Sequence, residues 1–356
     1  MNRVDRIVLA RVGSRILLTI IVVFGLVMMA ETLDTARLAY LTSVGGPQLA
    51  VLSLATTAAR WTIRTLSVTV LIGAVVGVLD LQVRQELTVI KASGKSIWKV
   101  MRAPAIVVAL ASVLIATFGE SATAELDRSI NPSTPRDSGS INATGGVWLE
   151  QTGGEVSYII EAAHVLPGGT TLNDVTVFVR SGLDYDMIKT PRAELNTGEW
   201  VLSPATAYRG HALPVWMATL SLPTETTIDD LRVRLAATED LTFFELAAAL
   251  GGQLRDPLLY SAVATRFLRL VTQPLMLVGS LLIAFAFTAG YRRTNKYGAA
   301  VLYGIVLGFV VFLVTEMADR AGSAGVLDPT FAAVGPAFVA VLIGLTVLLY
   351  REDGRA

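Results

Sequence analysis

The chain has 356 residues, of which 53% are hydrophobic and only 16% charged, with a mean hydropathy of +0.59; this is too apolar for an ordinary soluble protein of that length and places it among integral membrane proteins. Lys and Arg balance Asp and Glu at 29 each, which removes any global case for nucleic-acid binding. The absence of Cys excludes disulfides, thiolate metal sites and thiol nucleophiles, and His164 and His211 are too few for an imidazole metal cage.

The zero net charge conceals an uneven distribution. Between Ala124 and Leu258 lie 18 of the acidic residues but only 9 of the basic ones, so an acidic middle is flanked by basic, apolar ends. A bilayer core about 30 Å thick needs about 20 mostly apolar residues per helix. The first segment of that kind runs from about Ile16 to Tyr40, and its apolar run continues past Ala30 without a small-residue cleavage pattern, as in a span that is kept. The second extends from about Leu49 to Leu81 and the third from about Ala105 to Ala124. After the acidic middle come Ala262 to Gly290, Ala299 to Arg320 and Phe331 to Tyr350.

Positive charge orients these spans. Arg3, Arg6, Arg11 and Arg15 precede the first; Arg84, Lys91, Lys95, Lys99 and Arg102 separate the second and third; Arg292, Arg293 and Lys296 separate the fourth and fifth; Arg351 and Arg355 follow the sixth. In a six-span chain all four stretches fall on one side, whereas the short loops at Thr42 to Gln48 and Ala321 to Thr330 hold no Lys or Arg. Both termini are therefore expected in the cytoplasm and the acidic middle on the far side.

That middle, about Glu125 to Pro257, reads as mostly β. Val147 to Glu150, Ser157 to Val165, Val175 to Arg180, Glu199 to Leu202 and Trp216 to Leu222 are short runs rich in β-branched and aromatic residues, punctuated by Gly145-Gly146, Gly153-Gly154 and Pro167-Gly168-Gly169. Their spacing predicts a small sandwich or jelly roll. Thr242 and Glu245 predict a capping box opening a helix over Leu246 to Leu250 that leads back to the membrane.

Few motifs point to chemistry. Gly94-Lys95-Ser96 suggests a phosphate-binding loop, but the glycine such a loop needs five residues before Gly94 is Val89. No Gly-x-Ser-x-Gly elbow exists, and the expectation is a chain without a catalytic site. Between Arg84 and Ser93 a short helix is predicted, ended by Gly94 as a C-cap, with Lys95 to Lys99 carrying the chain into span three. A short helix there suits docking into a groove of a soluble partner, and Glu86 is its only acid amid five cations. A positive-inside loop with an incidental carboxylate is the plainer reading. Counting about 20 residues along each span places Arg60, Trp61, Arg64, Glu31, Asp34 and Arg37 at the outer boundary, with Arg266 and Arg269 nearby. Arg60 and Arg64, four apart, share a helix face and can present two planar forks to one anion; equally, they can snorkel to lipid headgroups beside the belt residue Trp61. Gly73 and Gly77 predict close helix packing, and Pro274, Gly304 and Gly308 read as kinks or contacts.

Taken together, three spans, a β-rich domain and three more spans, with Glu86-Leu87-Thr88-Val89-Ile90-Lys91-Ala92-Ser93-Gly94 between spans two and three, resemble the lipopolysaccharide export permeases LptF and LptG. Gln273-Pro274-Leu275, Arg292-Arg293, Gly304 to Gly308, and Gly325-Val326-Leu327 through Pro336 extend the resemblance over essentially the whole chain. Val147-Trp148-Leu149 and Glu352-Asp353-Gly354 look more like LptG than LptF. The resemblance implies an α-helical polytopic membrane protein with six transmembrane helices (3+3) and an inserted periplasmic all-β, jelly-roll-like domain. The expected divisions are 1–124 with a coupling helix at about 82–97, then 125–257 and 258–356, in the inner membrane of a Gram-negative bacterium.

The implied function is the permease subunit of an ABC transporter that extracts lipopolysaccharide. Its implied partners are an LptB-type ATPase dimer, an LptF-type permease, an LptC-type bitopic protein and an LptA-type periplasmic bridge, with no nucleic acid. No cofactor is expected on this chain, since ATP and Mg belong to the ATPase. The resemblance gives Glu86, with Arg84, Leu87 and Gly94, the coupling role, and gives Arg37, Arg60, Arg64, Arg128 and Arg136 lipid-phosphate binding. Glu31 departs from the family, some of whose members carry an important Lys there. A membrane scaffold or sensor with a periplasmic binding domain, or a permease for another lipid or lipoprotein, are the other readings; only a transporter would require a coupling helix.

Overall fold

A computed structural model of the chain describes residues 3–130, 147–154, 156–165, 170–181, 183–210, 212–226, 231, 241–251, 254, 257–288 and 297–352. They fall into two compact units, one drawn from Met1–Ile130, Thr242–Gly251 and Arg255–Ala356, the other from Asn131–Leu241 with Gly252–Leu254.

The first unit is helical. Helix α1 (Arg3–Glu31) stops well short of Tyr40, where the sequence places the end of the first span. The polar stretch Thr32 to Asp34 leaves the helix, and a new one begins when Leu38 N–H donates to the Asp34 carbonyl at 3.2 Å. This second helix, α2 (Thr35–Arg64), is broken inside at Gly46, whose φ of 74° is left-handed, next to Pro47. The expected continuous span from Leu49 to Leu81 is likewise two helices, α2 and α3 (Leu66–Val83). At the join, the Thr65 backbone N–H and hydroxyl both donate to the Trp61 carbonyl, at 3.0 and 2.9 Å, and Thr62 and Thr69 bond back to carbonyls four residues earlier in the same way. Hydroxyls that compete for helix carbonyls loosen and bend the ladder, which hydropathy does not register.

Short α4 (Glu86–Ala92) leads to α5 (Ile97–Leu114), which passes through a single π-helical turn at Ile115–Gly119 into α6 (Glu120–Ile130). After the β unit come α7 (Phe243–Gly251), α8 (Pro257–Thr288), α9 (Tyr297–Ser323) and α10 (Pro329–Glu352). The capping box opens α7: Thr242 N–H donates to Glu245 Oε2 at 2.8 Å, and Glu245 N–H donates to Thr242 Oγ1 at 3.3 Å. Among the described residues five helical stretches are long and apolar enough to cross a membrane: Val4–Glu31, Leu66–Val83, Ile97–Asp127, Pro257–Thr288 and Pro329–Tyr350. The expected span from Ala299 to Arg320 falls on α9, a helix of 27 residues outside that group of five. Arg292, Arg293 and Lys296 lie outside the described residues.

Helices α3 and α8 form the centre of this unit. In each, 61% of the most apolar window is buried, against 11% in α1. Close packing of α1 on α3 depends on the two glycines picked out by spacing: a Cβ at Gly73 would stand 2.6 Å from Ile16 Cα, and one at Gly77 2.9 Å from Val12 Cα. Neither position has room for a methyl group. The core they close includes Val8, Val12, Leu71, Val78, Leu81, Leu87, Ile97, Leu281 and Phe285.

Among its described residues the second unit is one eight-stranded antiparallel sheet. Its strands are β1 (Val147–Gly153), β2 (Val156–Val165), β3 (Thr171–Ser181), β4 (Met187–Asn196), β5 (Glu199–Leu202), β6 (Ala205–Tyr208), β7 (Val215–Met217) and β8 (Leu220–Pro223). The order is β1-β2-β3-β4-β5-β8, with β6 pairing to β4 and β7. The run expected as one strand at Trp216 to Leu222 is the pair β7 and β8, while β4 and β6 go beyond the five expected runs. Pro191 is tolerated within β4 because it falls where β4 exchanges one partner for another, between the β6 pairing that ends at Lys189 and the β5 pairing that begins at Ala193. Opposite it on β3, Asp174 takes a left-handed φ of 51°. Inside, Tyr158 donates its hydroxyl to the Pro223 carbonyl at 2.9 Å, and burial pushes its phenol pKa up. Gln151 Oε1 accepts from the hydroxyls of Thr224 and Thr226 at 2.6 and 2.8 Å, tying β1 to the chain leaving β8.

Candidate functional site

Two groups of charged residues occupy opposite ends of α3 and its neighbours. At one end is α4, delimited by two left-handed residues. Gln85 enters it with φ 60°, and Gly94 leaves it with φ 77°, the Gly94 N–H returning to the Lys91 carbonyl at 3.0 Å. The αL position past a helix end favours glycine because a side chain there crowds the backbone. Leu87 and Ile90, three apart, are buried in the common core and pin α4 to the bundle. Thr88, Val89, Lys91 and Ala92 form the exposed face, with Val89 68% exposed.

Of the residues the family resemblance singles out here, Leu87 is thus an anchor within the chain and Gly94 sets the exit. Arg84 Nε faces Asp80 Oδ1 at 3.4 Å. Glu86 turns inward: its Oε1 lies 3.5 Å from an Arg11 nitrogen of α1, and its Oε2 is buried without a hydrogen-bond partner. One turn further along α1, Arg15 stands 3.4 Å from Asp80. Arg11 and Arg15 are four apart and run beside Val8, Val12 and Ile16, the row that packs on α3, so apolar contact and charge follow one seam. Gln82 Nε2, donating to the Thr288 carbonyl at 2.6 Å, fastens the end of α3 to the end of α8.

At the other end the arginines are paired with carboxylates. Arg60 donates to Asp127 Oδ2 at 2.8 Å, and Arg64 to Glu316 Oε1 at 2.5 Å. Arg266 donates to Glu120 at 2.7 Å; Arg269 pairs with Asp319; Arg320 adds a second donor to Glu316 at 3.3 Å. These pairs cross-link α2 to α6, α2 to α9, α8 to α6 and α8 to α9. The Arg64 guanidinium also lies 5.4 Å from the centre of the Trp61 ring. Glu120 and Asp127 share a face of α6, two turns apart, and the π-helical turn before them resets the phase that α5 would have imposed. Arg64, Glu120, Arg266, Arg269, Gln273 and Glu316 line a cleft whose apolar wall includes Ile63, Met276 and Phe312. Arg266 Nε, Gln273 Oε1 and Glu316 Oε2 are buried there without hydrogen-bond partners, so the cleft keeps donor and acceptor capacity.

The structure therefore brings Arg64, Arg266 and Arg269 to one cleft, with Arg60 one turn from Arg64 on α2, and gives each a carboxylate partner that the sequence reading did not name: Glu316, Glu120, Asp319 and, for Arg60, Asp127. Glu316, Asp319 and Arg320, spaced by three and four on one face of α9, were the available signal. Arg37 falls on α2 and Arg128 on α6. Arg136 and His211 lie outside the described residues.

Among known families, the model for the lipopolysaccharide export system permease LptF/LptG matches residues 6–351. No curated protein matches the chain.

Proposed function

From the premise that this chain belongs to the LptF/LptG family of lipopolysaccharide export permeases, we propose that it is a non-catalytic membrane subunit of an ATP-driven complex in the inner membrane. That complex extracts lipopolysaccharide and passes it to a periplasmic bridge of LptA type. ATP and its Mg would be handled by an LptB-type ATPase dimer, and a second permease of LptF type and an LptC-type bitopic protein would complete the assembly. In this reading both termini and α4 face the cytoplasm and the β unit faces the periplasm.

The observation that carries the reading is the construction of α4. Seven residues between two left-handed corners, anchored by Leu87 and Ile90, present Thr88, Val89, Lys91 and Ala92 outward. A helix this short is not stable by itself, so its position is set by its anchors and by whatever it docks into. ATP-driven motion of the partner would rock α4, and with it the spans. Two further features fit. The apolar residues Leu17, Ile21, Leu26 and Met29 of α1, and Ile305, Phe309 and Leu313 of α9, are exposed in the single chain; they suit acyl chains and a second permease. Arg60 and Arg64, with Arg37, Arg128 and Arg136, would hold lipid phosphate. A phosphate reaching Arg60 or Arg64 would share a guanidinium that a carboxylate already balances, since each fork carries five donors.

The test is to purify the tagged chain from its own membranes in mild detergent and identify what accompanies it, beside a Val89→Glu variant. The expected result is an ATPase, a second permease and lipopolysaccharide with the wild type, and at least fivefold less ATPase with the variant. Recovery of the chain alone, or equal ATPase with both, overturns the proposal.

A further inference from the structure

The cleft at the α6 end of the bundle is built differently from a site for a plain anion. Its charges cancel in pairs, Arg64 with Glu316, Arg266 with Glu120 and Arg269 with Asp319; the further cation on Glu316, Arg320, is 78% exposed, where water screens it. An anion entering alone meets no unbalanced buried cation, and a cation entering alone meets no unbalanced carboxylate. Three polar atoms are nevertheless left over: the acceptors Glu316 Oε2 and Gln273 Oε1, and the Arg266 Nε–H donor. Glu316 is only 9% exposed, and its other oxygen already accepts from Arg64 and Arg320. A buried polar atom without a partner has given up its hydration for nothing, and a carboxylate oxygen most of all. The three together therefore describe a ligand: a cation with several N–H donors for the two oxygens, joined to an acceptor for the arginine.

Size narrows the class. The cavity is about 50 Å³, space for about four waters. That admits a short arm of three heavy atoms ending in an ammonium and excludes a sugar ring bearing acyl chains. The wall is apolar at Ile63, Leu270, Met276 and Phe312, and Trp61, 44% exposed on α2 beside Arg64, is a residue type that sits at headgroup level. We propose that the cleft binds the aminoethyl phosphate head of a zwitterionic membrane lipid, its ammonium donating to Glu316 Oε2 and Gln273 Oε1 and its phosphate accepting from Arg266 Nε–H. The acyl chains stay in the bilayer. A choline head carries no N–H, and a glycerol head carries no cation, so neither supplies what the two oxygens need. One such lipid bridges α8 and α9 through groups that the ion pairs leave unused. The site requires only that the chain lies in a membrane, not that an ATPase docks on it.

The tagged full-length chain is purified in detergent, washed free of lipid, and offered phosphatidylethanolamine, phosphatidylcholine or phosphatidylglycerol with identical acyl chains. Lipid retained per chain is counted by mass spectrometry, and the thermal unfolding midpoint is followed. The site requires phosphatidylethanolamine to be retained about tenfold over either other lipid and to raise the midpoint by about 3 °C. Gln273→Leu removes one acceptor, and Ser67→Leu fills the cleft from α3 without altering a charge. Each should lower that retention about tenfold, with the midpoint in detergent alone close to wild type. Should one of them unfold, the other decides, and the lipid series on the wild type stands without either. Equal retention of the three lipids overturns the proposal, as does a preference for phosphatidylglycerol, which would make the cleft an anion site. Undiminished retention in folded Gln273→Leu and Ser67→Leu places the lipid elsewhere and overturns it too. Soluble glycerophosphoethanolamine at millimolar concentration separates the sources of the head: no rise in midpoint supports the lipid, and a rise equal to that with lipid overturns it in favour of a soluble ligand. None of these measurements involves ATP hydrolysis, so their failure leaves the proposed function standing.

Discussion

At the α6 end of the bundle Arg64 reaches Glu316 at 2.5 Å and Arg60 reaches Asp127 at 2.8 Å, with the arginine side chains 22% exposed; at the α4 end Arg11 and Arg15 stand 3.5 and 3.4 Å from Glu86 and Asp80 and are 39% and 35% exposed. The same residue types are thus used in two ways. Where both partners are largely out of solvent, the pair must stay closed, because opening it strands a charge in a poorly polarisable setting. Where water reaches both partners, as at Arg11 and Glu86, opening costs little and the pair can be remade; Arg15–Asp80 is intermediate, with the arginine wet and the carboxylate 17% exposed. The tight pairs cross-link four helices, α2, α6, α8 and α9, into a fixed frame. The loose ones join α1 to the short helix α4 and to the end of α3, beside the helix that the proposed mechanism sets in motion. The π-helical turn belongs to the fixed frame, since it brings Glu120 and Asp127 onto the face that meets Arg266 and Arg60.

If the tight pairs are clamps, the largest loss of stability should come from Glu316→Ala. Arg64 and Arg320 both lose their acceptor, and breaking a buried pair from one side costs about 3 kcal/mol. Thermal unfolding in detergent would show it as a lowered midpoint. Adding Arg64→Met should return part of the loss, because the stranded cation is then gone. An unchanged midpoint in the single variant would remove the clamp from the comparison.

A smaller loss, about 2 kcal/mol, is expected for Gly73→Ala, whose new methyl would meet Ile16 Cα at 2.6 Å and push α1 off α3. Gly13→Ala and Gly25→Ala are the controls. Nothing lies within 4 Å of a Cβ at either position, and a helical Gly→Ala change there should be neutral or stabilising by up to about 1 kcal/mol. Equal destabilisation at Gly13 and Gly73 would show that helix propensity or the membrane, and not the α1–α3 seam, governs these sites.

What could be read from the sequence was what local chemistry decides. Apolar runs pointed to the five stretches long and apolar enough to cross a membrane among the described residues, Gly94 marked the end of α4, and Thr242 with Glu245 announced α7, because each depends on residues within a few positions of one another. The interruptions at Asp34 and Thr65 escaped, since an apolar run looks continuous whether or not a threonine hydroxyl competes for a carbonyl inside it. Strand β4 escaped because Lys189, Pro191, Arg192 and Glu194 dilute its apolar pattern, and only the change of partner around Pro191 makes a proline acceptable there. The boundary arginines were visible as a cluster, but their partners were not. Arg60 and Asp127 are 67 positions apart and Arg64 and Glu316 252, so nothing in the local pattern joins them before the chain folds. Glu86 was visible for the opposite reason, as a lone acid among cations. Its intrachain cation Arg11, 75 positions away, was seen only as one of several residues orienting the first span.

The smallest stability effect should be that of Arg11→Gln, and its smallness is what sharpens the contrast. An ion pair 3.5 Å apart with side chains 39% and 30% exposed contributes no more than about 0.5 kcal/mol, because water solvates both groups when it opens and the side chains regain freedom. The apolar row at Val8 and Val12 still holds α1 to α3 in the variant, so the unfolding midpoint should match wild type at moderate ionic strength. Salt should act in the same direction. Raising it from about 0.01 to 1 M shortens the screening length from about 30 to about 3 Å and should weaken this exposed pair while leaving the Arg64–Glu316 clamp nearly untouched. Midpoints of wild type and Arg11→Gln, compared across that range, should therefore converge at high salt, whereas those of wild type and Glu316→Ala should stay apart. A destabilisation by Arg11→Gln as large as that by Glu316→Ala would mean that both ends of the bundle are clamped.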